Sequence, residues 1–259
     1  MSVRLGMKAF RGTKKGRACR ASLGRRRGSA PREGVLDQIR RGGNAAGLSC
    51  VGPRATLLTT NMISAGGINA DRSKAVDLGA RNCRRCRCDR RLRADAGVLG
   101  CLGNHEIYAD TENYVTEQGR RIGIEFLRHR AKQLRFGNAT INFAGVDYQK
   151  MHKPYLIGTE QLIVPGALNI MLSHNPDVFP VAAAQGYHLT IAGHTHGGQV
   201  DVEILHQHLD VARYFTPFVQ GLYRRGNSSV YVSNGLGTIG VPVRLGAPSE
   251  VSVLRLCAI

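Results

Sequence analysis

Five side chains have the types and spacing for chemistry: Asn104, His105, His174, His194 and His196. They fall in three short stretches: Gly103-Asn-His-Glu106, Leu172-Ser-His-Asn-Pro-Asp177 and Ile191-Ala-Gly-His-Thr-His-Gly-Gly-Gln199. Neutral imidazole is the commonest side-chain metal ligand near neutral pH. His194 and His196 lie between Gly193 and Gly197-Gly198. Glycines without a Cβ let backbone come close there, so both rings can converge on one point. A lone His-x-His is equally well explained by surface or core histidines. Three strand ends carrying metal-type ligands make a constellation, and chance is a poor account of it.

An apolar run precedes each stretch: Gly97 to Leu102, Leu168 to Met171 and Leu189 to Ala192. Each reads as a strand ending in a sharp turn. Open α/β sheets gather their ligands at the carboxyl ends of strands. Pro176 suits the first turn of a helix running through the alanines to Gly186. Asp110 or Thr111 can cap a second helix to about Arg121, with Glu112 in its first turn. Thr140 to Val146 alternates as a half-buried strand does. Val200 to Leu205, Ser229 to Ser233 and Val251 to Leu256 read as further strands, Phe126 to Phe136 as two short strands or part of a helix, and Asp147 to Gly158 as a loop. Strands alternating with helices, then a strand-rich end, predict a mixed two-sheet α/β core.

From about Gly97 to Leu256 the chain resembles the calcineurin-like metallophosphoesterases, in particular their bacterial phosphodiesterase branch. The three stretches above carry the resemblance. Gly221-Leu-Tyr-Arg224, Tyr231-Val-Ser-Asn-Gly-Leu-Gly-Thr238, Pro242-Val-Arg-Leu-Gly246 and Pro248-Ser-Glu-Val251 extend it. It implies an αββα sandwich and hydrolysis of phosphodiester or phosphomonoester bonds, lipid-linked substrates included. It also implies a dinuclear centre of divalent ions (Mn, Fe, Zn or Mg) that clamps the phosphate. Carried over, Asn104, His174 and His194 become ligands of one metal and His196 a ligand of the other. His105 stabilises the transition-state charge or protonates the leaving oxygen. Glu106 either orients a histidine or favours a helix start. Asn175 and Asp177 read as a turn and helix cap, and His188, His206 and His208 as non-ligands.

The family's opening motifs, Asp-x-His and then Gly-Asp, have no counterpart here. Residues 1–96 contain no histidine and no Gly-Asp pair. One metal, the bridging carboxylate and the nucleophile therefore lack their usual holders. Two accounts stay open. The chain is a degenerate, non-catalytic relative that binds through a basic arm, or residues 1–96 are read out of frame and the domain proper is 97–259.

Composition divides at the same place. Of 36 Lys+Arg, 23 precede Gly97, but only 6 of 18 Asp+Glu do. Phe10 is the sole aromatic residue there, so that segment has little to bury. It reads as a solvated basic arm. Nucleic acid is a poor fit, because no aromatics interleave the charges for stacking; anionic lipid stays open. Cys83-Arg-Arg-Cys-Arg-Cys88 matches no four-ligand zinc spacing. No stretch of 18 apolar residues occurs, so no transmembrane helix is expected. Arg25-Arg-Arg27 has a twin-arginine look but no apolar segment follows it. The body is expected in the cytoplasm or peripheral at a membrane.

Overall fold

The computed structural model describes residues 3–10, 54–59, 94, 96–150, 154–204, 207–238 and 243–258. In chain order the strands are β1 (Val3–Phe10), β2 (Arg54–Thr59), β3 (Val98–Gly100), β4 (Ile124–Phe126), β5 (Arg130–Phe136), β6 (Ala139–Gly145) and β7 (Leu168–Leu172). They continue with β8 (Leu189–Ala192), β9 (Asp201–Ile204), β10 (Gln207–Asp210), β11 (Gly221–Arg225), β12 (Ser228–Val232) and β13 (Val251–Ala258). The helices are α1 (Asn104–Tyr108), α2 (Glu112–Arg121) and α3 (Phe179–Gln185).

Six strands form one sheet in the order β11-β12-β8-β7-β6-β5. The inner four, β6, β7, β8 and β12, run parallel, and β5 and β11 close the edges antiparallel. Strand side chains alternate between faces, and this alternation assigns each residue to a layer. Ile141, Phe143, Ile170, Leu189 and Tyr231 meet Leu254 and Leu256 of β13. On the opposite face Ala144 and Met171 pack with Val178 and Ala182, the latter on α3. Phe179 of α3 joins Ala192, Val230 and Val232.

β13 runs antiparallel between β1 and β2. It is the strand that faces the six-stranded sheet across the core. β3 and β4 pair in parallel as a separate two-stranded sheet. Leu99 packs against the inter-sheet core, whereas Val98, Ile124 and Phe126 pack with Val115 of α2. The layers are thus α3, the large sheet, the smaller strand groups and α2, a mixed α/β arrangement with two sheets between helices. A polar link also crosses the sheets: Tyr231 on β12 hydrogen-bonds Glu250 and, at 2.8 Å, Ser252 on β13.

Most expected elements form close to their predicted bounds. Phe126 to Phe136 resolves as strands on either side of a turn in which His129 has φ 50°. Gly186, at φ 103°, ends α3 in the left-handed conformation that glycine adopts freely. Thr111 stands at the start of α2, but its hydroxyl donates to the Glu106 carbonyl at 3.3 Å and caps nothing. β1 was not foreseeable from its own residues; it forms by pairing residue for residue with β13. The cysteine run at 83–88 and His206 lie outside the described residues, and so does the side chain of His208. Among the described residues no helix is long and apolar enough to cross a membrane.

Candidate functional site

Four parallel strands direct their carboxyl ends to one edge of the large sheet. The backbone ladder continues past them: Val146 N–H donates to Leu172 O, Ser173 N–H to Ile191 O, and Ser233 N–H to Ala192 O. Gly193 N–H donates to His174 O at 3.0 Å. The turns after β7 and β8 are therefore fixed to each other before any side chain is considered. Asn104 arrives separately, at the start of α1 just beyond β3.

His174 Nε2 lies 3.0 Å from Asn104 Oδ1 and 3.0 Å from His194 Nδ1. The two imidazoles stand with centroids 4.8 Å apart. Donors held about 2.1 Å from one ion sit about 3.0–3.4 Å from one another. The two 3.0 Å spacings match that shell, and the donor set of two imidazoles and an amide oxygen suits a divalent cation. Among the described residues no group of three or more His, Cys, Asp or Glu side chains comes together as a metal site. The cluster reaches three donors only through its amide.

His196, 2% exposed, places Nδ1 3.1 Å from Gly237 O. His105, half-buried on α1, is near enough that its charge disfavours protonation of His174, His194 and His196. The structure thus brings all five predicted side chains to one region. The backbone there is unusual: His194 has φ 70° and His196 φ 54°. Left-handed backbone costs a non-glycine residue about 1–2 kcal/mol, and such strain concentrates at functional sites. Glycine is required at two contacts. A Cβ on Gly103 would fall 2.9 Å from the His174 ring, and one on Gly197 2.6 Å from Asn234 Oδ1.

Burial above all, then neighbouring imidazoles, pushes His174 down to about 3 and His194 down to about 4. His196 is also lowered, chiefly by burial. Folded, these rings bind fewer protons than unfolded ones between pH about 3 and about 6.5. Stability therefore rises with pH across that window and is complete above it. The metal-free protein is expected to lose on the order of several kcal/mol between pH 7 and pH 4. Denaturant midpoints at both pH values check this; a flat profile would contradict buried neutral rings.

The remaining predicted residues sort by contact. Glu106 accepts the Gly103 N–H at 2.9 Å, so it serves the start of α1. Asp177 accepts from Thr216 Oγ1 at 2.7 Å. Asn175 is fully buried and stands before a short 3-10 turn without capping it by its side chain, a correction to its expected role. His188 accepts the Asn169 N–H at 3.1 Å, a structural contact at the amino end of β8.

No protein-family model matches the chain. Curated relatives do. It is 28% identical to the uncharacterized metallophosphoesterase YkuE of Bacillus subtilis, over 64% of this chain and 58% of YkuE. It is 28% identical to the phosphodiesterase YaeI of Escherichia coli, over 62% of this chain and 58% of YaeI. The chain is thus similar to bacterial proteins named as metallophosphoesterases or as a phosphodiesterase. It spans about half the length of the curated relatives it matches. Among solved structures, SoxB, a sulfate thiohydrolase of Thermus thermophilus, covers 60% of this chain and 32% of its own. The identity is 19% and the TM-score 0.34, too loose a likeness to carry weight.

Two contributors to this site escaped the sequence. Tyr148, 7% exposed, sets its ring 6.0 Å from His174 and 5.7 Å from His194. Its own edge contact is Tyr108 on α1, at 5.9 Å. The available signal was position: Tyr148 follows a parallel strand as His174 and His194 do. The other is Arg244, which reaches the His196 carbonyl at 3.0 Å from a distant loop; only its place in Pro242-Val-Arg-Leu-Gly246 marked it.

Proposed function

We propose that this chain hydrolyses phosphate esters, phosphodiesters or phosphomonoesters, at a divalent ion held by Asn104, His174 and His194. The observation that supports this best is the pair of 3.0 Å spacings among those three donors, at the carboxyl edge of a parallel sheet. When bound, the ion supplies charge neutralisation at the phosphate and activation of a water. Asn104, His174 and His194 bind and orient it; their lowered proton affinity keeps the imidazole lone pairs available near neutral pH. His105, next to Asn104 on α1, would donate a proton to the leaving oxygen or a hydrogen bond to the developing charge. His196, by the family resemblance, would be a ligand of a second ion. Exposed Val200, Leu236, Val243 and Leu245 adjoin Gln199, Gly237 and Arg244, which is in keeping with an apolar or lipid-linked ester.

The absent Asp-x-His and Gly-Asp motifs predict an impaired catalyst with one firmly held ion. Hydrolysis of bis(p-nitrophenyl) phosphate with and without Mn²⁺ tests the reading. Slow turnover that requires Mn²⁺ and stops on chelation is expected. Mn²⁺ bound without any turnover sinks the hydrolase reading and favours the second one, a non-catalytic relative acting as a binding module with a basic arm. The lack of any histidine or Gly-Asp pair in residues 1–96 of the sequence favours that alternative. Sequencing the coding DNA across codons 1–96 separates a lost motif from a frame error.

A further inference from the structure

We propose that Arg244 is the positioning residue of His196, holding the turn after β8 against the loop after β12 so that the imidazole keeps its proton on Nδ1 and presents Nε2 bare. The inference rests on the reading of His196 as a metal-facing ligand. It concerns a residue 48 positions away in sequence.

The guanidinium is half-buried, and its partners come from three segments. Nε donates to Gly237 O at 3.0 Å. Nη1 donates to His196 O and to Ala247 O, each at 3.0 Å. Nη2 donates to Asn234 O at 2.8 Å and also to Gly237 O. Among the described residues these acceptors are backbone carbonyls and include no carboxylate. A planar fork with five N–H groups can serve several divergent carbonyls at once, which a lysine ammonium cannot.

His196 Nδ1 lies between two of these groups, 3.1 Å from Gly237 O and 3.4 Å from Arg244 Nη2. A carbonyl only accepts and a guanidinium only donates. A proton on Nδ1 satisfies the shorter contact, and Nη2 is already engaged with Asn234 O and Gly237 O. The proton therefore belongs on Nδ1. Metal-ligating histidines have their tautomer set in this way by the partner of the other nitrogen. Here Gly237 O is that partner, and Arg244 fixes where Gly237 O stands.

The experiment is long-range ¹H–¹⁵N NMR on the full chain with labelled histidine, in the parent, Arg244→Lys and, for assignment, His196→Gln. The parent is expected to show His196 as the Nδ1–H tautomer. Arg244→Lys is expected to mix the tautomers of His196 while the signals of the other eight histidines stay in place. Its Mn²⁺ affinity is expected to fall about 10–100-fold. An Nε2–H tautomer in the parent overturns the proposal without any variant. So does a folded Arg244→Lys that keeps both tautomer and affinity. A parent that binds no Mn²⁺ counts against the proposed function instead, and the tautomer readout still judges Arg244.

Discussion

His194→Ala is expected to abolish Mn²⁺-dependent phosphodiesterase activity and to weaken Mn²⁺ binding by at least about 100-fold. Losing only an outer partner of a ligand costs about 10–100-fold in affinity or activity, and losing the ligand costs more. His194 supplies one of three donors clustered at 3.0 Å spacings, and its removal leaves Asn104 and His174. No other His, Cys, Asp or Glu among the described residues completes such a group. Folding should survive. The ring's aromatic neighbours are His174 at 4.8 Å and Tyr148 at 5.7 Å rather than the inter-sheet cluster, and alanine at φ 70° inherits strain already present. His188→Ala, at the amino end of the same strand, serves as the control and should leave Mn²⁺ affinity unchanged. Calorimetric or EPR titration with Mn²⁺ reads both. Parent-like affinity in His194→Ala would remove this residue from the ligand set and the site from its present place.

Phe143→Ala is expected to lower stability by about 3–5 kcal/mol, the usual cost of emptying a buried phenylalanine site. Phe143 is 3% exposed and lies in the cluster that joins β6, β7, β8 and β12 to β13. Small domains are stable by only about 5–15 kcal/mol, so the variant should stand near its unfolding threshold. Its loss touches no site residue; weakened metal binding would follow only from lost fold. Phe215, 68% exposed, provides the contrast, and its replacement by alanine should stay within about 0.5 kcal/mol. Urea midpoints compare the three proteins. A cost below about 1 kcal/mol at Phe143 would mean that the two sheets do not share a packed core.

Both expectations depend on features of unequal visibility in the chain. The runs before His174 and His194 declare themselves as strands because short apolar runs that end in a sharp turn are local signals. The same holds for the helical stretch that opens with the 3-10 turn at Pro176 and closes α3 at Gly186, both of which depend on φ preferences of single residues. Glu106 was ambiguous for the opposite reason. A carboxylate three residues into a turn suits a helix start or a histidine equally, and only the 2.9 Å contact with Gly103 N–H decided between them.

Residue order alone determined which side chains could bind a metal and which turns would carry them, because ligand type and turn preference belong to individual residues. Tertiary structure decided what those turns meet. Asn104 and His174 lie 70 positions apart, and no local preference brings an amide to an imidazole over that span. Parallel strand order does, by delivering successive carboxyl ends to one edge. Tyr148 and Arg244 joined the site in the same way, from a loop with no periodicity and from a segment beyond the last parallel strand. β1 is the extreme case: a basic segment becomes a strand because β13, at the other end of the chain, offers it a complete ladder of backbone partners. Hydrogen-bonded pairing across a sheet is blind to sequence distance, so only the folded chain reveals it.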